Sequence, residues 1–435
     1  MAIHGGYTAD STRAVAVPIY QTVAHDFVDA EHAGAVMDLE VPGFHYNRIN
    51  NPTVDVLEQR LAALEGGTAA MAVSSGAAAV SMSVLNLCDS GDNFVSAPQL
   101  YGATYTYFAH VLPTLGIECR FPPDDQPESI EALIDERTKA VFCETVGNPA
   151  GNVIDLARVA EVAHAHGVPV IADNTVPTPL LLKPIRYGAD VVIHSLTKFI
   201  GGHGTTMGGI IIDAGTFPWT EHPVRFPRMN EPELAFHGVR YATQFPAAPY
   251  VTRCRTVGLR NVGSSMSPFN AFLHLQGLET LSVRLERLEA NARVVADYLQ
   301  NDPRVSWVSF LGLPDNPYHE LARRYLGDRC PSIITFGVRG GYDAGIAVFN
   351  RVNLFKRLVN MGDAKSLIAH PASTTHRQLT PTDLALVGVT PDMVRHSIGL
   401  EHPDDLIEDL DQALSPQDLH HTSPEILEGP DPALR

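Results

Sequence analysis

Between residues 140 and 213 the chain alternates short, uninterrupted apolar runs with segments of helical spacing. That pattern constrains the fold more than any other feature. Ala140, Val141, Phe142 and Cys143 form one run. In 155–166 (DLARVAEVAHAH), Leu156, Val159, Ala160 and Ala163 share one helical face before Gly167 closes the segment. Three more runs, 168–172, 190–194 and 209–213, follow in order. Runs rich in Val and Ile with no polar alternation are strands buried on both faces. They imply an α/β fold whose mostly parallel sheet is covered by helices. Ligands of such sheets sit beyond the carboxyl ends of the strands, which directs attention to Glu144, Asp173 and segment 194–206.

The rest of the chain is read around that sheet. Stretch 69–87 is uncharged, but it is built from Ala, Ser and Gly and broken at Ser74, Ser75 and Gly76. It therefore reads as strand, turn and buried helix rather than a membrane span. Segment 214–250 carries Pro218, Pro223, Pro227, Pro232, Pro246 and Pro249 among aromatic residues, the composition of an ordered excursion rather than a linker. A long helix over 279–299 is expected to connect to a smaller α+β lobe containing a strand at 333–337. With 435 residues, two lobes are expected rather than one core. The division is an arm at 1–53, a large domain at 54–275, a C-terminal domain at 276–415 and a disordered acidic tail at 416–435.

Charge and cysteine usage exclude several function classes. The 31 Lys+Arg against 49 Asp+Glu give a net charge of −18, which argues against a nucleic-acid or acidic-membrane partner, because phosphate binding needs a basic face. The N-terminus lacks a basic start followed by an apolar core, and the five cysteines form no CxxC. Neither a secretory leader nor a disulfide framework is read, and a cytoplasmic protein is expected. The histidine pairs His164/His166 and His420/His421 have no clustering that would hold a metal, so none is expected.

Lysine is scarce: Lys139, Lys183, Lys198, Lys356 and Lys365 are all there is. Lys198 sits in His194-Ser-Leu-Thr-Lys198-Phe-Ile-Gly-Gly-His203, just after a buried strand. In a water-poor site its amine is more easily deprotonated, which suits it to Schiff-base chemistry and proton transfer. Ser195 and Thr197 can hold a phosphate by their hydroxyls, and the neighbouring glycines let backbone approach closely. A plain strand-to-loop turn with a solvated lysine fits the same residues. Asp173, at the preceding strand end, tips the balance, because a carboxylate there can keep a pyridine nitrogen protonated. Ser75-Gly76-Ala77-Ala78 opens a helix whose free N–H groups suit a phosphate.

These blocks, taken together, carry a resemblance. Tyr46-Asn-Arg48, Ser75-Gly76, Tyr101-Gly-Ala-Thr104, Gly147-Asn148-Pro149, Asp173-Asn-Thr175, Ser195-Leu-Thr197-Lys198 and Arg395-His-Ser-Ile-Gly-Leu-Glu401 occur in the order of the cysteine/methionine-metabolism family of pyridoxal-phosphate enzymes. Within that family the chain is most similar to the O-acetylhomoserine sulfhydrylases. The Pro-rich excursion and the blocks at 267–281 and 360–376 carry this finer likeness. The resemblance implies a fold-type-I aminotransferase-like protein using pyridoxal 5'-phosphate. It implies that Lys198 is the cofactor-linked acid–base lysine, that Asp173 pairs with the pyridine nitrogen, and that Tyr101 stacks on the ring as a catalytic partner. Asn148 would reach the phenolic oxygen, and Gly76, Ala77, Ser195 and Thr197 would hold the phosphate. Tyr46 and Arg48 would help from a neighbouring subunit of a homotetramer. Arg395 would bind the substrate carboxylate, assisted by Asn360 and Ser366.

The implied reaction is γ-replacement, O-acetyl-L-homoserine plus sulfide or a thiol giving L-homocysteine or a thioether plus acetate. Cystathionine γ-synthase, or another γ-replacement or γ-elimination enzyme, is the rival within the family, and an idle scaffold on the same fold is the rival outside enzymes. A γ-lyase of the family would carry a cysteine two residues after the stacking tyrosine, where this chain has Ala103. Ala77 also departs from the glutamine usual in these sulfhydrylases, so the phosphate must rely on backbone N–H at that point.

Overall fold

A computed structural model describes residues 1–415 except for 10, 378–379, 381–383 and 385–386. The acidic tail expected from residue 416 lies outside the described residues. The apolar runs become the centre of a seven-stranded sheet. Its strands are β1 (Ala69–Val73), β2 (Asn93–Ser96), β3 (Glu118–Arg120), β4 (Thr138–Glu144), β5 (Val170–Asp173), β6 (Val191–Ser195) and β7 (Gly209–Asp213). The order is β1-β7-β6-β5-β4-β2-β3. Strands β3, β2, β4, β5 and β6 run parallel, while β7 is antiparallel to both its neighbours. A run buried on both faces reads alike in either direction, so its reversal leaves no trace in the pattern. The reversal matters, because Ser195 pairs with Gly209. Segment 196–208 therefore leaves and re-enters the sheet at the same end and holds Lys198 there.

Stretch 69–87 forms β1, a turn and the helix Gly76–Leu85, whose cap Ser75 accepts from the Ala78 N–H at 3.1 Å. Among the described residues no helix is long and apolar enough to cross a membrane. The helix Pro52–Glu65 is capped by Asn51 and stopped by Gly66, whose φ of 86° is left-handed and suits glycine. The 214–250 excursion folds into short helical turns around a buried aromatic cluster in which the Trp219 and Phe226 rings meet edge-on at 5.0 Å. It braces the strand-start edge of the sheet: Arg225 donates to the carbonyls of Asp135 and Thr138 at 2.9 and 2.6 Å, and Lys139 Nζ donates back to the Arg225 carbonyl. That edge is opposite the strand ends that carry the chemistry.

The long connecting helix spans Leu281–Asn301, two residues beyond the segment the sequence suggests. It buries Leu285, Leu288, Ala292, Val295 and Leu299, with full burial of each larger side chain contributing about 1.5–3 kcal/mol. It packs on a five-stranded sheet of β8 (Val305–Ser309), β9 (Ile333–Val338), β10 (Lys356–Arg357), β11 (Leu367–Ala369) and β12 (Met393–Ser397). The order here is β10-β11-β12-β9-β8, antiparallel throughout except for the β10/β11 pair.

Candidate active site

A cavity of about 540 Å³ opens where the two sheets face one another. Ser75, Asp173, Ser195 and Lys198 line it from the large sheet, and Asn360 and Arg395 line it from the small one. The Lys198 amine crosses that space and donates to Asn360 Oδ1 at 2.7 Å. Burial lowers the Lys198 pKa to about 8, with a smaller contribution from the Arg395 charge. A lysine near that value can hold or release a proton close to neutral pH, which general acid–base work requires.

Two carboxyl groups lie side by side at the strand ends, because Glu144 on β4 and Asp173 on β5 are register partners. Burial raises both pKa values, and the Asp173 charge raises Glu144 further. Asp173 is the better candidate for the charged member. Its Oδ1 accepts from the Thr175 N–H at 2.9 Å and from Thr175 Oγ1 at 2.5 Å, and the nearby His194 also favours its ionised form. Glu144 Oε1 accepts from the Tyr101 N–H at 2.6 Å, which anchors the start of the short helix Gly102–Thr106. Tyr101 itself remains 40 % exposed on the cavity wall.

The other end of the cavity is made for an oxyanion. The helix Gly76–Leu85 presents its N-terminus there, with unpaired N–H groups and the positive end of its dipole. A Cβ on Gly76 would lie 2.5 Å from Ser195 Cβ, so only glycine keeps this cradle open. The Ser195 and Thr197 hydroxyls line the same end, and Thr197 Oγ1 is fixed by Gly208, whose N–H donates to it at 3.1 Å. Ala77 is present without a side-chain donor, as its residue type dictates. Phosphate at this end, a carboxylate for a ring nitrogen and a lysine between them fit pyridoxal phosphate.

Arg395, 5 % exposed, is held as a fork: Nη1 donates to Asn148 Oδ1 at 3.1 Å and Nη2 to the Asn360 carbonyl at 2.7 Å. Its Nε is buried without a partner among the described residues, a vacancy that an anionic ligand would fill. Burial pushes its pKa down to about 10, so it stays a cation at neutral pH. Asn148 spends its oxygen on Arg395, which leaves its amide N–H groups to donate elsewhere.

One residue expected at the site lies elsewhere. Ser366 does not line the cavity. Its hydroxyl donates to Glu401 Oε2 and accepts from the Gly399 N–H, both at 2.8 Å, so it braces the chain behind Arg395 instead of touching substrate. Asn360 lines the cavity, but its side chain is engaged by Lys198 and its carbonyl by Arg395. Tyr46 and Arg48 lie outside this cavity altogether. Arg48 Cζ sits 5.1 Å from the centre of the Tyr46 ring, and both line a separate, open hollow of about 1240 Å³ beside Arg255. Thr175, which links Asp173 to Ser195 by accepting the Ser195 N–H at 2.8 Å, has no assigned role in the sequence reading. Its one signal was its position two residues after Asp173, where an Asp-x-Thr turn closes on its own carboxylate.

Comparison with known proteins matches residues 1–415 to the Cys/Met metabolism PLP-dependent enzyme family. The chain belongs to that family. A homocysteine synthase of Schizosaccharomyces pombe is 48 % identical over 416 residues, covering 95 % of this chain and 97 % of that one. O-acetyl-L-homoserine sulfhydrylase 1 of Thermus thermophilus is 44 % identical over 418 residues, covering 95 % and 99 %. Among solved structures, one assigned as an O-acetylhomoserine (thiol)-lyase of Campylobacter jejuni, carrying a pyridoxyl-lysine, superposes with a TM-score of 0.92. It is 40 % identical and covers 95 % of this chain and 98 % of its own. This family member is a PLP-dependent enzyme of the fold-type-I class.

Proposed function

We propose that the protein catalyses γ-replacement on O-acetyl-L-homoserine, with sulfide giving L-homocysteine and acetate. The observation that carries this reading is the Lys198 amine held by Asn360 beside the buried, partly unsatisfied Arg395 fork. A base and a carboxylate reader are thereby joined within one cavity. Near-full-length similarity to homocysteine synthases and O-acetylhomoserine sulfhydrylases supports the choice of substrates.

In the net reaction the Cγ–O bond breaks with its electron pair leaving on acetate, and a Cγ–S bond forms with the pair brought by sulfide. Pyridoxal phosphate would supply the electron sink that makes the protons on the amino carbon and on the carbon beside it removable. The chain supplies position and proton traffic. Arg395 holds the substrate carboxylate through a planar donor edge that lysine lacks. Lys198 Nζ takes and returns the Cα proton, its lowered pKa keeping both states accessible. Asp173 would pair with the ring nitrogen of the cofactor, Thr175 keeping its Oδ1 occupied. Ser195, Thr197 and the N–H groups at Gly76 and Ala77 would hold the phosphate, Tyr101 would cover the ring and Asn148 would donate to its phenolic oxygen.

The hollow around Tyr46 and Arg48 fits an arm that completes the cavity of a second subunit. The assembly that follows is a homotetramer built from two such dimers, each chain contributing arm 1–53, large domain 54–275 and C-terminal domain 276–415. Five unpaired thiols fit a reducing cytoplasm. The deciding experiment supplies O-acetyl- and O-succinyl-homoserine in turn with sulfide or cysteine and identifies the products. Homocysteine from the acetyl ester and sulfide at the highest kcat/KM is expected. Faster formation of cystathionine from cysteine would overturn the assignment in favour of a cystathionine γ-synthase.

A further inference from the structure

The strand ends that carry the cofactor contacts are tied together on the face away from the cavity. Glu144, Asp173 and Ser195 line the cavity, and each has a neighbour in sequence, Thr145, Asn174 and His194, that does not. Side chains of successive residues in extended chain point to opposite faces. On the far face these three neighbours form one hydrogen-bonded chain that ends on a single carboxylate. Thr145 Oγ1 donates to Asn174 Oδ1 at 2.9 Å, Asn174 Nδ2 donates to Glu65 Oε1 at 2.9 Å, and His194 Nε2 donates to the same oxygen at 2.6 Å. Glu65, Asn174 and His194 are all completely buried. Asn174 is further fixed by donating to the Leu182 carbonyl at 2.8 Å.

We propose that Glu65 is a positioning residue for cofactor binding: from behind the sheet it fixes the relative placement of the strand ends that present Asp173 and Ser195 to the cofactor. The arrangement is expensive for a merely structural contact. Glu65 Oε2 and His194 Nδ1 are both buried with no partner among the described residues. Glu65 is also the last residue of the helix Pro52–Glu65, at the negative end of the helix dipole. Replacing all members of a buried ionic contact by apolar side chains of similar volume often leaves stability unchanged or raised, so stability alone does not account for this one. Geometry supplies the compensating benefit. Asp173 and Ser195 stand on adjacent strands, and Glu65 bonds to the immediate neighbour of each, so a shift of one strand end against the other breaks a bond at a buried site.

The inference rests on the cofactor sitting at Asp173, Ser195 and Lys198, and the test separates the two ideas. Borohydride reduction of the parent holoenzyme, followed by peptide mapping, is expected to find the cofactor fixed to Lys198; an adduct elsewhere would overturn the seat and this inference with it. Glu65→Met and Glu65→Gln are then compared with the parent by equilibrium dialysis against pyridoxal phosphate, by visible circular dichroism of the bound cofactor and by urea unfolding after cofactor removal. Glu65→Met leaves His194 Nε2 without its acceptor and Asn174 Nδ2 with one fewer, so it is expected to unfold at a lower urea concentration, while its cofactor Kd rises about tenfold and the visible dichroism weakens even at saturating cofactor. Glu65→Gln keeps an acceptor oxygen for Asn174 and His194 and is expected to recover most of both signals. A Met variant that binds within about twofold of the parent with unchanged dichroism would overturn the proposal. So would a loss that tracks destabilisation and is not relieved in Glu65→Gln. If Glu65→Met does not fold, Thr145→Val, one link further along the chain of bonds, decides on the same cofactor readings.

Discussion

Replacing Arg395 by lysine keeps a positive charge in the cavity but removes the planar fork. In the native site the guanidinium is already held by Asn148 Oδ1 at 3.1 Å and the Asn360 carbonyl at 2.7 Å, with Nε left to meet a ligand. A lysine amine has three donors on one atom and cannot serve these two acceptors and a carboxylate in the same geometry. A lost hydrogen bond to a charged partner costs about 1.5–3 kcal/mol, which corresponds to roughly a ten- to hundredfold fall in kcat/KM. The fall is expected to appear in KM for O-acetylhomoserine, because the carboxylate is bound both before and during the reaction. KM for sulfide and the visible colour of the cofactor are expected to stay close to the parent values. Steady-state kinetics with each substrate varied in turn checks this. An unchanged KM for the amino acid, or a KM rise shared equally by sulfide, would refute the assignment of Arg395 as the carboxylate reader.

Two other outcomes follow from the geometry. After cofactor removal, Lys198→Met is expected to be more stable than the parent at pH 7, since burial opposes the charged amine. Between the folded value of about 8 and the usual 10.5 the unfolded chain binds the extra proton, so parent stability rises and the gap closes; urea midpoints at pH 7 and 10 measure it, and a constant gap would refute the burial argument. Arg48→Ala and Lys198→Ala are each expected to be inactive alone, and co-refolding the two is expected to restore activity, because one site of each mixed dimer then holds Lys198 and the other chain's Arg48; a mixture that stays inactive would place Arg48 at its own chain's site.

Much of the central sheet was legible because its strands are unbroken apolar runs, and Asp173 and Lys198 stood out as polar residues just where such runs end. The direction of β7 was not, for its buried residues satisfy either orientation. Ser366 reads as a site residue because it is a hydroxyl in a block shared with relatives; only its packing shows that Glu401 claims it. Glu65 and His194 could not be paired from sequence, since each looks ordinary in its own segment, one ending a helix and one inside a strand. Their partnership arises from the sheet order, which no local spacing encodes. Thr175 lies between these cases, visible as a turn residue but not as the link from Asp173 to Ser195.

The order of the strands also dictates when the phosphate cradle can exist during folding. Its glycine edge follows β1, its hydroxyls lie at and just past the end of β6, and in the sheet β1 is joined to β6 through β7, with Ala69 paired to Asp213. A chain synthesised from its N-terminus must therefore emerge through β7 before Ser75 and Gly76 have a fixed place beside Ser195. Such distant pairing is slow to form, because the loop-closure entropy is met before any contact offsets it. Until that closure β1 stays without β7, the strand it pairs with, and is an apolar strand open to pairing with other chains. Added pyridoxal phosphate would then act on refolding yield by trapping the closed sheet and not by speeding its closure, since a ligand held by both edges stabilises only the state in which both are present.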